Sequence, residues 1–249
     1  MATSLGVRLS VKFDLSQYAL FIEKSITEFT LLDKQGYNNE NYLIHSEEKK
    51  YILRKFRRID VDRKFEFKVQ KLAFEKGVTS EPLLLDEENA LAVSTYVEGT
   101  HKETLDKNDL EQFAEVLRKV HTLNVENDPL ELETLLKTKS KEVVDAFRIL
   151  ESFSSEYVLC HNDLNPRNIL FSETIQLIDW EDSAVNDRYF DLASVCVEFN
   201  LDEEDEVYFL RRYFTHEDEI YVEKLKAYKI IYKALCTQWF ENLERKNQS

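Results

Sequence analysis

The chain has 249 residues, 43% of them hydrophobic, and a formal net charge of -15. That supplies enough apolar material for a core and too much negative charge for a broad nucleic-acid face, so wholesale disorder and nucleic-acid binding are both set aside. Cys160, Cys196 and Cys236 show no CxxC or metal spacing and read as reduced, mostly buried thiols. The N-terminus has no apolar signal segment and no run approaches a membrane span, so a soluble, cytoplasmic protein without a membrane partner is expected. Composition leaves the oligomeric state open.

In chain order, SQYALFIEKSITEF (16 to 29) predicts an amphipathic helix, followed by strand-like runs at 29 to 34, 41 to 46 and 50 to 56. QGYNNE, with Gly36, Asn38 and Asn39, makes a turn between the first two strands. A helix is expected from Asp62 to about Lys76, ended by Gly77. Two further strands, PLLLD and ALAVSTYV, follow. After VEGTH the texture changes to helices over 109 to 123, 139 to 153, 190 to 200, 203 to 214 and 220 to 243. A strand-rich first third before a helix-rich remainder predicts an α+β fold of two lobes, 1 to 97 and 98 to 249.

One stretch interrupts the helical part. VLCHNDLNPRNILF starts and ends apolar but packs His161, Asn162, Asp163, Asn165, Arg167 and Asn168 between. This is the pattern of a polar loop held by two short buried strands. Shortly after it, QLIDWEDS places Asp179 at the end of another short strand. Mg²⁺ takes one or two protein oxygens and fills its remaining positions from water and phosphate, and Asn168 with Asp179 supply such oxygens. Asp163 is then left to orient a substrate hydroxyl and accept its proton. That division suits phosphoryl transfer, which needs positioning and charge neutralisation. His121 on an apolar helical stripe reads as a core histidine, and Cys160 as packing.

HNDLNPRN resembles the catalytic loop of the kinase-like phosphotransferases, and IDWEDSAVNDRYFDLASVCVEF resembles the longer pattern of choline/ethanolamine kinases of the LicA type, within the aminoglycoside phosphotransferase and protein-kinase-like superfamily. The resemblance implies a protein-kinase-like fold with a nucleotide-binding N-lobe and a catalytic C-lobe. It implies Mg²⁺ as cofactor, ATP as co-substrate and transfer of the γ-phosphoryl group to choline, with ethanolamine next. It also implies nucleotide contacts from Gly36, Asn39, Arg54, Thr95, Tyr96 and Val97, with Glu66 as the helical partner of Arg54. Glu181, Glu198 and Trp239 fall on the acceptor side, and His161 and Asp191 brace the loop. Two departures stand out. QGYNN lacks the family's second glycine, and Asp182 replaces an aromatic residue that often follows IDxE. Another alcohol kinase of the superfamily (for thiamine, an aminoglycoside or an amino sugar) and a non-catalytic pseudokinase are the alternatives.

Overall fold

The computed structural model describes residues 14–33, 38–214 and 222–247. The chain divides into two compact units, one drawn from Met1–Phe67 and Ser80–Val97, the other from Lys68–Thr79 and Glu98–Ser249. The first unit is built on a five-stranded antiparallel sheet. Its strands are β1 (Ile26–Leu31), β2 (Asn39–Ser46), β3 (Lys49–Phe56), β4 (Pro82–Asp86) and β5 (Leu91–Thr95), in the order β1-β2-β3-β5-β4. Alternation along β2 and β3 puts Tyr42, Ile44, Tyr51 and Leu53 on one buried face. Leu91 and Val93 of β5 continue that face, and Leu15, Tyr18 and Phe21 pack on it.

The helix predicted over 16 to 29 does not form. A 3₁₀ turn spans Leu15–Gln17, further turns run to Glu23, and β1 starts at Ile26. Glu23 sits at φ 60°, which ends any helical course. The following ITEFTL is rich in β-branched and aromatic residues, and β2 offers it a partner. Tyr18 then reaches across to donate its hydroxyl to Asp86 Oδ2 at 2.7 Å.

Helix α1 (Arg63–Glu75) begins in the first unit and continues into the second. Its buried stripe is Arg63, Glu66, Val69 and Ala73, and Gly77 at φ +71° turns the chain away after it. The second unit carries α2 (Lys107–His121), the one-turn α3 (Leu132–Leu135), α4 (Lys141–Leu150), α5 (Arg188–Glu198), α6 (Glu203–Tyr213) and α7 (Val222–Asn247). α5 and α4 both pack on α7, and α2 packs on α6. Two small hairpin-like pairs hold the polar loop: β6 (Tyr157–Cys160) with β9 (Ala184–Asp187), and β7 (Ile169–Phe171) with β8 (Ile175–Leu177). Lys224, fully buried on α7, ties the first pair down. Its ammonium meets Asp187 Oδ2 at 2.8 Å, Glu156 Oε1 at 3.1 Å and the Ser154 carbonyl at 2.9 Å. No helix among the described residues is long and apolar enough to cross a membrane.

Candidate active site

The loop between β6 and β7 is hung on one buried carboxylate. Asp191, at the first turn of α5, accepts the backbone N–H of His161 at 2.8 Å on Oδ2 and that of Asn162 at 2.9 Å on Oδ1. His121 Nε2 meets the same Oδ2 at 3.1 Å, and Tyr213 contacts His121 Nδ1 at 2.6 Å. His121, Cys160 and Asp191 lie close enough together to resemble a metal cluster. Both Asp191 oxygens are committed to the loop, however, and burial pushes the Cys160 thiol well up, so the cluster serves as a brace. His161 is buried too, and burial lowers its pKa despite the nearby Asp191 and Asp179. Its Nε2 faces the Ile178 carbonyl at 3.1 Å and its Nδ1 faces the Asp163 N–H at 3.4 Å. This is the pattern of a neutral imidazole protonated at Nε2, a spacer rather than a base. Asn162 takes φ 64°, which asparagine tolerates, and its side chain bonds Asp182, Ala184 and Asn186.

With the loop so fixed, Asp163 is half-buried and its carboxylate accepts Asn165 Nδ2 at 2.9 Å and Asn168 Nδ2 at 2.7 Å. Burial raises its pKa to about 6, helped by the charges of Asp182 and Glu198 and opposed by the two amide hydrogen bonds. A carboxylate tuned into that range is still ionised at neutral pH and holds a proton more readily than an ordinary aspartate. Asn168 spends its Nδ2 on Asp163 and its backbone carbonyl on the Ile178 N–H at 2.9 Å, while no hydrogen bond from the described residues reaches its Oδ1. Asp179 sits at φ 65°, ψ 69°, a conformation that turns the chain sharply at the end of β8. The next residue, Trp180, is buried and donates its indole N–H to Thr79 Oγ1 at 3.1 Å. Thr79 in turn donates to the Leu177 carbonyl at 2.6 Å, so the turn bearing Asp179 is fastened from both sides. The oxygen donors of Asn168 and Asp179 form a hard set that fits Mg²⁺.

Further along, Glu198 ends α5 and its Oε1 accepts the Tyr232 hydroxyl of α7 at 2.8 Å. Burial, with Cys236 and Glu198 beside it, holds the Tyr232 phenol well above its ordinary value. Glu181 is buried in the 3₁₀ turn Trp180–Asp182. Trp239, two turns beyond Tyr232 on α7, is 40% exposed and meets Phe240 edge-to-face at 5.0 Å.

In the first unit, Arg54 on β3 pairs with Glu66 Oε1 on α1. A second guanidinium that the sequence reading did not single out, Arg63, takes Glu66 Oε2 at 2.6 Å while stacking over Phe56 at 4.0 Å. Asn39 is buried at the start of β2, opposite Phe56. At the end of β5, Thr95 N–H donates to Glu81 O at 2.9 Å and Tyr96 N–H to Lys50 O at 3.1 Å, with Val97 next in the chain. Gly36 lies outside the described residues. His101, also unremarked in the sequence, contacts the Pro166 and Ile169 carbonyls of the loop between β6 and β7.

A buried brace, a carboxylate with a raised pKa and a pair of oxygen-bearing side chains on one helical unit suit phosphoryl transfer, and the relatives of this chain fix the class: a phosphotransferase acting on an alcohol group. The sequence profile of the phosphotransferase enzyme family matches residues 31–222. The chain therefore belongs to that family. LicA of Haemophilus influenzae is 24% identical over 82% of this chain and 70% of its own length. The choline kinase LicA from Streptococcus pneumoniae superposes with a TM-score of 0.74 at 26% identity, covering 89% of this chain and 87% of that one. A LicA structure in complex with AMP gives a TM-score of 0.72 at 25% identity, covering 92% and 87%. The kinase-like α+β fold expected from the sequence is the fold observed.

Proposed function

We propose that this phosphotransferase moves the γ-phosphoryl group of ATP to the hydroxyl of a small cationic alcohol, choline first and ethanolamine next. The observation that carries the reading is the carboxylate group around Asp163. Its pKa is raised to about 6 in part by Asp182 and Glu198, and Glu198 is fixed by Tyr232. An acceptor with an ammonium head relieves that repulsion, whereas a neutral sugar does not. Trp239 and Glu181 are the further acceptor-side residues in this reading, and an aromatic face suits a quaternary ammonium.

Asp163 accepts the acceptor's hydroxyl proton as the oxygen forms its bond to the γ-phosphorus and the bond to the departing ADP oxygen breaks. Asn165 and Asn168 keep the carboxylate aimed while this happens. Asn168 Oδ1 and the Asp179 carboxylate would hold Mg²⁺, which supplies neutralisation of the phosphate charge. In the first unit, Arg54 is held by Glu66 to meet phosphate oxygens, with Gly36 and Asn39, at the start of β2, as the further nucleotide-side residues of this reading. Thr95, Tyr96 and Val97 are the segment beside the base in this reading; the N–H groups of Thr95 and Tyr96 are already spent on Glu81 and Lys50, so only their carbonyls and the Val97 backbone are left to offer.

ATP consumption with Mg²⁺, measured against choline, ethanolamine, thiamine and an aminoglycoside panel, tests the reading. Turnover with choline or ethanolamine is expected. Turnover confined to neutral alcohols would sink the cationic-acceptor assignment.

A further inference from the structure

We propose that His101 is a positioning residue of the catalytic loop, its ring N–H holding the carbonyls that flank Arg167 and Asn168 and so setting the Asn168–Asp163 pair. The proposal rests on the roles given above to Asp163 and Asn168. His101 Nδ1 lies 3.0 Å from the Pro166 carbonyl and 2.8 Å from the Ile169 carbonyl. Both partners only accept, so Nδ1 carries the proton.

The backbone explains why those two carbonyls need a donor. β7 has two edges. On one, β8 pairs with it. On the other, Thr100 and Phe171 exchange both backbone hydrogen bonds, at 2.9 and 2.8 Å. Alternate residues of a strand present their backbone groups on the same edge. Ile169, two before Phe171, therefore turns its carbonyl toward the segment that carries Thr100 and His101. The Pro166 carbonyl belongs to the 3₁₀ turn Pro166–Asn168, which stops because Ile169 is extended at φ -124°, ψ 121°. No further helical turn follows to use that carbonyl, and the imidazole takes it up.

Gly99 lets the segment come this near. A Cβ there would lie 3.0 Å from Leu170 Cβ and 3.2 Å from the Phe171 carbonyl. The His101 side chain itself is exposed, so it is not core filling. Its contribution is the donated proton. Between the two held carbonyls stands Asn168, whose Nδ2 reaches both the Asp163 carbonyl, at 3.0 Å, and its carboxylate, at 2.7 Å. Releasing the carbonyls loosens Asn168 first and the Asp163 carboxylate through it.

The test compares wild type with His101→Leu, His101→Gln and His101→Asn. The Asn amide places an N–H at the position of Nδ1; Gln carries its amide one carbon further out, and Leu has none. Steady-state kinetics with Mg²⁺–ATP and the best acceptor of the panel should show kcat down about tenfold in the Leu and Gln proteins, the rate equivalent of one hydrogen bond, with both KM values little changed. His101→Asn should recover most of kcat. Amide exchange at Asn168 and Phe171 should quicken in the Leu and Gln proteins and stay slow in the Asn protein. Equal kcat in wild type and His101→Leu, or equal impairment of the Leu and Asn proteins, overturns the proposal. A wild-type protein inactive on every acceptor would count against the functional reading alone, since the exchange rates still decide whether His101 holds the loop.

Discussion

Asp163→Asn separates the chemistry of Asp163 from its electrostatic burden. The side chain keeps its size but loses its charge and its ability to take a proton. Turnover should fall by ~10²–10⁴-fold, the usual contribution of a general base. Stability should move the other way at neutral pH. Burial first, then Asp182 and Glu198, raise the Asp163 pKa from 3.8 to about 6. Between those two values the native protein keeps a proton that the unfolded chain has released. By linkage, wild-type stability then declines as pH rises through that window and is flat above it. The Asn protein has no such group. Its stability relative to wild type should therefore climb between about pH 4 and pH 6.

The size follows from the shift. About two pKa units correspond to ~3 kcal/mol as an upper limit, and partial exposure of the carboxylate brings a realistic rise down to ~1–2 kcal/mol. A constant penalty of ~1 kcal/mol offsets part of this, because the Asn amide turns a donor toward either Asn165 or Asn168, which both donate to the wild-type carboxylate. That penalty does not depend on pH, so the slope of the difference is the diagnostic quantity. Urea denaturation of both proteins at half-unit steps from pH 4 to pH 8 measures it. A difference in stability that stays flat across the range would refute the raised pKa, and with it the account of how the site is tuned.

The acid limb of the wild-type kcat/KM profile, which reports the free enzyme, should have its midpoint near pH 6, falling tenfold per unit below, because only ionised Asp163 accepts the proton. Glu198→Gln should raise KM for choline and ethanolamine with kcat less affected, as loss of a ground-state charge partner does; unchanged KM for both would place the ammonium elsewhere. Asp179→Ala should abolish activity and shift the Mg²⁺ titration to higher concentration, and an unaltered titration would move the metal site. Asp191→Ala should destabilise by roughly 3 kcal/mol or more, since it leaves two buried N–H groups and His121 without their acceptor; denaturation by urea reports it directly.

The sequence carries the polar loop between β6 and β7 openly because its pattern is local. His161, Asp163, Asn168 and Asp179 stand within 19 residues, and hydrophobic runs on either side announce the strands that hold them. The helix boundaries of the second unit are legible for the same reason, with Asp106, Ser140, Asp187 and Asp202 capping α2, α4, α5 and α6. What stays hidden is decided by partners far along the chain. The segment 16 to 29 has helical periodicity, and only pairing with β2 turns its last four residues into a strand. β9 reads as a polar run, AVND, because its Asn186 and Asp187 are buried by hydrogen bonds and by Lys224, none of which hydropathy records. Glu198 and Tyr232 meet across 34 residues, and His101 meets Ile169 across 68. Glu66 shows the same limit at shorter range. Its role as a partner for Arg54 follows from the resemblance, yet the carboxylate is shared, one oxygen to Arg54 and the other to Arg63. A buried carboxylate between two guanidiniums retains a positive neighbour if either arginine turns away. On the role proposed for Arg54, binding phosphate would still leave Glu66 paired with Arg63, a property of three side chains that no single position in the sequence displays.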